Sequence, residues 1–214
     1  MPAITAVTPS PRRDGAGRFD IEVDGTAVGT LSLEAIERLH IHVGAEVDDR
    51  LLDMVANETR ALHTYDRALA MLATRARASR ELERLLVRKG ESPEHVWAAI
   101  ERLTALGFLD DALFARQFAR AKLAVGGLSR RRLQAELARR GVARDVADAA
   151  ISEMLVEEAV DEREILGQLA TRKLRSLRDL PPDVQRRRLY AFLARRGYSP
   201  DDVRTAVDRT LGRA

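Results

Sequence analysis

Residues 82–90 read LERLLVRKG, residues 133–141 read LQAELARRG and residues 189–197 read LYAFLARRG. In each stretch, two leucines four residues apart are followed by two basic residues and a glycine, and the glycines are 51 and then 56 residues apart. Leucines at this spacing share one face of a helix, and glycine ends helices because it readily adopts a positive φ. A period of about fifty residues indicates tandem supersecondary units. We therefore predict a mainly α protein built of tandem three-helix, helix-turn-helix-like repeats.

The composition is that of a globular protein without disulfides. Hydrophobic residues make up 45% of the 214-residue chain, but a single repeat of about fifty residues is marginally stable, so we expect the repeats to stack. No apolar run approaches the roughly 20 residues that span a bilayer, and residues 1–14 lack the apolar run of a signal peptide. We expect a cytoplasmic protein. The absence of cysteine excludes thiol nucleophiles and thiolate metal ligands.

The N-terminal region has a different pattern from the repeats. Residues 1–17 show no periodicity, and we expect a disordered tail there. Residues 18–61 are predicted to form a small module, in which alternating apolar and acidic residues from Phe19 to Asp24 indicate a β-hairpin with one buried face. The small sheet either packs on the helix that begins at Asp48 or docks on the first repeat. A short helix and then a strand or turn are expected over 33–47, and a further helix over 48–59.

Helical periodicity then continues to the end of the chain, and we place the repeats at 62–107, 108–156 and 157–212. Ser79, Ser92 and Ser199 are predicted N-caps, since a serine side chain can accept a hydrogen bond from a first-turn amide. Five extra residues in the third repeat fall around 178–182, where two prolines prevent a continuous helix. They are either a surface insertion or a device that sets the angle between the second and third repeats.

Basic residues are concentrated in the middle of the chain. Residues 70–140 carry 15 basic and 8 acidic side chains. By contrast, residues 1–69 carry 7 basic and 12 acidic side chains, and residues 141–214 carry 14 basic and 13 acidic ones. A basic surface attracts polyanions or an acidic protein face. The aromatic residues are few, at 4% of the chain, and Trp97 and Phe114 are expected in the cores.

Arginines recur at matching positions of the middle helices. At 100° per residue, Arg132 and Arg139 lie on one flank of the leucine face, and Arg188 and Arg195 repeat that placement, whereas the first repeat has Glu81 at one matching position. These residues form either a solvated face or a surface for a negatively charged partner. The candidate partner-binding residues are Arg88, Lys89, Arg130, Arg131, Arg132, Arg139, Arg140, Arg186, Arg188, Arg195 and Arg196.

No enzyme signature is found. His40 and His42 have strand spacing but no evident third ligand, which favours a surface or packing role over a metal site. The segment Gly126–Ser129 lacks the lysine of a phosphate-binding loop and is interpreted as a hinge that ends in an N-cap. Asp110 and Asp111 are interpreted as helix-capping acids. We predict no catalytic residues, no cofactor and no metal.

A more specific resemblance lies in the segment after the first repeat. Gly107, Phe108 and Leu109 precede an Asp-Asp-x-x-Phe-Ala sequence at 110–115, and the basic glycine turns at the end of each middle helix complete the pattern. At these residues the chain resembles the RecX family, regulators of the bacterial recombinase RecA. The resemblance covers about residues 60–212, and longer members have an N-terminal piece similar to residues 19–49.

This resemblance implies a fold, a function and a partner. The implied fold is an elongated, curved array of three-helix repeats, and the implied partner is the RecA filament on single-stranded DNA, in whose groove the array lies. Binding there depresses ATP hydrolysis and strand exchange, which regulates recombination, DNA repair and the SOS response. The protein is expected to act as a monomer, without a membrane and without enzymatic activity. The alternative is a helix-turn-helix DNA-binding protein that acts without RecA, through phosphate contacts with single- or double-stranded DNA.

Overall fold

The structure, a computed structural model, describes residues 2–11 and 17–212. These residues form three strands and ten helices. The strands are β1 (Ile4–Pro9), β2 (Arg18–Val23) and β3 (Thr26–Ser32). The helices are α1 (Leu33–Arg38), α2 (Asp49–Thr74), α3 (Ser79–Arg88), α4 (Pro93–Ala105), α5 (Asp111–Gly126), α6 (Arg130–Arg140), α7 (Arg144–Glu157), α8 (Glu162–Arg175), α9 (Pro182–Ala194) and α10 (Pro200–Thr210).

The N-terminal strands form an antiparallel sheet in the order β1-β2-β3. Its buried face carries Ile4, Ile21 and Leu31, which pack with residues of α1 and the start of α2. A Cβ atom at Gly29 would overlap the Thr59 hydroxyl group, so the glycine allows α2 to approach the sheet closely.

Two expectations for the N-terminal region are wrong. Residues 4–9 are not a disordered tail but the edge strand β1, which is held by pairing with β2 and by burial of Ile4. The helix expected over 48–59 does not end there: α2 is a single helix of 26 residues that continues through residue 61, because no glycine or proline interrupts 49–74. Residues 12–16 of the predicted tail lie outside the described residues.

The mainly α fold with three-helix repeats is confirmed. The second part of α2 with α3 and α4 forms the first repeat, α5–α7 the second and α8–α10 the third. The leucines of the repeated stretches are fully buried in the cores: Leu82, Leu86, Leu133, Leu137, Leu189 and Leu193. The glycines that follow, Gly90, Gly141 and Gly197, have φ values of 90°, 93° and 88°, which only glycine adopts without strain.

Tertiary contacts divide the chain into two compact units. The first includes the described residues up to 76 and residues 82–109, and the second includes 77–81 and the described residues from 110 onward. The first turn of α3 therefore packs in the second unit, where Ala78 joins the core of the second repeat. None of the helices in the described ranges is both long and apolar enough to cross a membrane.

The predicted caps are confirmed at two of three serines. Ser92 Oγ accepts a hydrogen bond from the His95 amide, and Ser199 Oγ accepts one from the Asp202 amide. Ser79 is instead the first residue of α3, and its own amide donates to Asp111 Oδ1 at 2.8 Å. A carboxylate distant in sequence thus replaces the local cap.

The aromatic residues divide between core and surface. Phe114 packs against the core of the second repeat, as predicted. Trp97 does not lie in a core, contrary to the prediction, and is 69% exposed. The reason is that α4 buries His95, Val96 and Ala99 on the opposite face.

Candidate partner-binding surface

Two of the predicted binding arginines, Arg130 and Arg186, each join two helices of one repeat. The Arg130 guanidinium donates to Ser152 Oγ at 2.5 Å and to the Asp148 carbonyl at 3.3 Å. Arg186 forms an ion pair with Asp208 at 2.6 Å. Both contacts join the middle helix of a repeat to its third helix, so these arginines stabilise the second and third repeats.

Arg132 and Arg139 share one acidic partner, which the sequence pattern had not assigned to them. Glu136 lies between them on α6 and is 3.3 Å from Arg132 Nε and 3.8 Å from Arg139 Nη2. Lys122 of α5 approaches the same carboxylate at 3.7 Å. One carboxylate therefore faces three cations, and the cluster keeps a net positive charge.

Arg140 and Arg196 occupy equivalent positions in their repeats, and each lies over an aromatic ring, that of Phe118 on α5 and that of Phe192 on α9. The Arg140 guanidinium is 4.6 Å from the Phe118 ring centre, and Arg196 is 3.7 Å from that of Phe192. A lysine of the first helix also approaches each ring: Lys122 lies 5.4 Å from the Phe118 centre, and Lys173 lies 5.5 Å from the Phe192 centre.

Sequence reasoning missed Lys122 and Lys173 as members of this surface. The two lysines are 51 residues apart, which is the first repeat spacing, so comparison of the first helices of the repeats could have found them. A cation over an aromatic face is worth about 0.5–2 kcal/mol, depending on its exposure. Burial lowers the pKa of Arg196, but an arginine stays charged at neutral pH.

The remaining predicted residues are exposed and have no hydrogen bond or ion pair with the described part of the chain. Arg88 and Lys89 lie at the end of α3 in the first unit. Arg131, Arg188 and Arg195 lie in the second unit. These five side chains can therefore bind a negatively charged partner without first breaking a contact within the described residues. We name them the free cations.

The second and third repeats meet at two turns, which bring the cations of both together. The Ser129 amide donates to the Arg196 carbonyl at 3.1 Å, and the Tyr198 hydroxyl donates to the Gly127 carbonyl at 3.0 Å. A Cβ atom on Gly197 would lie only 2.7 Å from the Arg132 Cβ. Arg132 therefore lies beside the turn that carries Arg195 and Arg196. We name this contact the repeat junction.

The extra residues of the third repeat fold back onto it. Gln185 Nε2 donates to the carbonyls of Arg178 and Leu180 at 3.2 and 2.8 Å. Leu177 is buried in the third core, and Leu180 packs against it. These contacts favour the interpretation of residues 178–182 as a surface insertion. The second and third repeats are joined instead by the repeat junction.

The same type of hydrogen bond occurs twice, once at each of two places where the first helix of one repeat meets the middle helix of the preceding repeat. The amide of Ser79, the first residue of α3, donates to the carboxylate of Asp111, the first residue of α5. The amide of Arg130, the first residue of α6, donates to the carboxylate of Glu162, the first residue of α8, at 2.8 Å. Donor and acceptor are 32 residues apart in both. Each bond satisfies an amide that has no partner within its helix. We name these bonds the inter-repeat caps.

Loss of an inter-repeat cap should destabilise the second unit. We expect Glu162→Ala to lower the free energy of unfolding by about 1–2 kcal/mol, because the Arg130 amide loses a charged acceptor. The measurement is urea denaturation followed by circular dichroism. Asp145→Ala is the control, since Asp145 lies in the first turn of α7, is exposed and has no hydrogen bond to the described residues. Equal effects of both substitutions would show that only the helix dipole is involved.

The repeat junction should also make the free energy of unfolding decrease at alkaline pH. Burial, reinforced by Glu162, raises the pKa of Tyr198 to about 12 from 10.0. Between pH 10 and 12 the unfolded tyrosine ionises and the folded one stays neutral, so the stabilisation present below pH 10 declines as the pH rises. The difference in unfolding free energy between wild type and Tyr198→Phe should shrink across this range. A constant difference would contradict the assignment.

A buried histidine and the Gly126–Ser129 segment have structural roles. His95 Nε2 lies 3.0 Å from Asn57 Oδ1, which indicates a packing role. In the described part of the chain, no cluster of three His, Asp or Glu side chains is arranged to hold a metal ion. Gly127 ends α5 in a left-handed conformation, and Ser129 caps α6, as predicted.

Comparison with known proteins is consistent with this architecture. Models of the first, second and third three-helix domains of RecX match residues 65–103, 110–151 and 161–207, in that order. A regulatory protein RecX from Pelodictyon phaeoclathratiforme is 34% identical over 140 residues, which cover 65% of this chain and 84% of the relative. The chain belongs to the RecX family.

Other RecX proteins extend the similarity. The regulatory protein RecX of Mycobacterium avium is 40% identical over 61% of this chain and 75% of its own length. That of Clostridium botulinum is 27% identical over 91% of this chain and 90% of its own. The fold matches a crystal structure of a regulatory protein RecX with a TM-score of 0.79 and 19% identity, over 97% of this chain and all of the other.

Proposed function

We propose that this protein binds the RecA filament on single-stranded DNA and lowers its ATP hydrolysis and strand exchange. The observation that carries the proposal is the match to all three RecX domains in their order. Such a protein regulates recombination and DNA repair in the cytoplasm, as a monomer and without catalysis of its own.

The distribution of charge supports this function. Free cations occur in all three repeats, at Arg88 and Lys89, at Arg131, and at Arg188 and Arg195. Each exposed charge contributes little alone, but several sites on one chain add through effective concentration. The cations of each unit thus suit a negatively charged partner that offers several binding sites, such as acidic protein surfaces together with DNA phosphates.

The test is a titration of this protein into its cognate RecA on single-stranded DNA at fixed salt, with ATP hydrolysis as the signal. We expect inhibition at concentrations well below those that coat the DNA. Inhibition only at DNA saturation, or none, would contradict direct action on the filament. It would favour a helix-turn-helix DNA-binding protein, whose affinity for naked DNA falls steeply with salt and does not change when RecA is added.

A further inference from the structure

The first unit contains a groove that the proposed function does not use. Its floor is α2, one wall is the N-terminal sheet and the other is the turn between α3 and α4. The volume is about 1160 Å³. We name it the α2 groove. Charged residues of both signs line it, among them Arg18, Arg60, Asp66, Arg67 and Glu91.

Most polar side chains of the α2 groove are paired. Arg18 Nη2 lies 2.6 Å from Asp66 Oδ1. Glu91 accepts a hydrogen bond from the Thr64 hydroxyl at 2.6 Å and pairs with Arg67 at 2.7 Å. Buried polar groups in folded proteins are nearly always satisfied in this way, so exceptions require a reason.

Two buried polar atoms in the α2 groove are exceptions. Ser10 Oγ and Arg18 Nε have no hydrogen-bond partner among the described residues, and Ser10 is only 9% exposed. The Ser10 amide donates to the Arg18 carbonyl at 2.9 Å, so the two residues are cross-strand neighbours. Directly opposed residues of antiparallel strands point to the same face. Each unsatisfied group costs about 1–3 kcal/mol, and both line one groove.

The chemistry of these atoms defines what would satisfy them. Arg18 Nε only donates, and the Ser10 hydroxyl can donate as well, so two adjacent donors call for two acceptor oxygens on one group. Arg60 adds an exposed cation on the same groove, without an ion pair to the described residues. Carboxylates and phosphates are the oxyanions that arginine binds best.

We propose that the α2 groove binds a ligand through an oxyanion head group, a carboxylate or a phosphate. The oxygens of the head group accept hydrogen bonds from Ser10 Oγ and Arg18 Nε, and Arg60 supplies charge compensation. The groove is larger than a single anion needs, so the head group belongs to a larger molecule whose remainder lies along α2. None of the free cations is among the residues that line this groove, and the test of the site involves no RecA.

The test follows the arginine Nε–H resonances of the full-length protein by NMR during separate titrations with sodium acetate and sodium phosphate. Sodium chloride at equal ionic strength is the control. We expect a saturable shift of the Arg18 Nε–H resonance with at least one oxyanion and none with chloride. The anion that binds more tightly distinguishes a carboxylate ligand from a phosphate ligand. Exposed Arg163 serves as an internal control and should not shift saturably.

Substitutions separate the two donors. Ser10→Ala should raise the dissociation constant about fivefold, and Arg18→Lys, which keeps a cation for Asp66 but lacks Nε, should raise it about tenfold. Should Arg18→Lys fail to fold, the wild-type titration and Ser10→Ala still decide the matter. Unchanged binding in Ser10→Ala, or no saturable shift of Arg18 in the wild type, would overturn the proposal.

Discussion

Replacing Gly197 with alanine should destabilise the second unit by about 2–5 kcal/mol. Gly197 has a φ of 88°, and forcing an alanine into this conformation costs about 1–2 kcal/mol. The added Cβ would also lie 2.7 Å from the Arg132 Cβ and 2.8 Å from Ser129 Oγ, and overpacking of this kind costs a further 1–3 kcal/mol. Denaturation by urea, followed by circular dichroism, measures the loss.

The repeat supplies a matched control for this substitution. Gly90 occupies the same position in the first repeat with a φ of 90°, but a Cβ there would meet no atom within 4 Å. Gly90→Ala should therefore cost only the backbone strain, about 1–2 kcal/mol. The excess cost of Gly197→Ala reports the contact between the second and third repeats. Equal costs at the two glycines would mean that the repeat junction is looser than the structure shows.

Reversing three free cations of the second unit should remove most of the regulatory activity. The triple variant has glutamate in place of Arg131, Arg188 and Arg195. We expect it to need at least a tenfold higher concentration than the wild type for half-inhibition of RecA ATP hydrolysis. The change replaces three positive charges with negative ones, so it would repel a negatively charged partner at these positions. The melting temperature should stay nearly unchanged, because these side chains are exposed and form no ion pair within the described residues.

The control must change the charge equally at other sites. Arg50, Arg144 and Arg163 are exposed and lie in the first turns of α2, α7 and α8, where glutamate suits the helix dipole. Their reversal should leave inhibition within about twofold of wild type. An equal loss of inhibition in both triple variants would show that net charge, and not the proposed surface, governs binding.

The structure also refines which arginines are worth testing. Arg130 and Arg186 lie in the basic runs that suggested a binding surface, yet each is engaged within its own repeat. Substituting either would lower stability and activity together, so a loss of inhibition would not locate the partner. The pattern of charge along a helix does not distinguish these residues from Arg131 and Arg188, because their partners lie on another helix.

Much of the fold follows from local rules that the sequence contains. Helices are predicted by leucines four residues apart, and their ends by Ser92 and Ser199 as caps and by the glycine after each basic pair. These signals can be recognised in the sequence because each of them acts on neighbours within one or two helical turns. The repeat spacing extends these rules to the whole chain. The sequence by itself therefore determined the three-helix repeats and the positions of their buried leucines.

Only the tertiary structure decided which residues pair over long distances. β1 forms because β2 lies beside it, the inter-repeat caps join residues 32 apart, and Gly197 must be small because Arg132 lies against it. Exposure of Trp97 and pairing of Arg186 with Asp208 depend equally on what packs nearby. Such contacts depend on how separate elements fold together, and local periodicity does not contain that information.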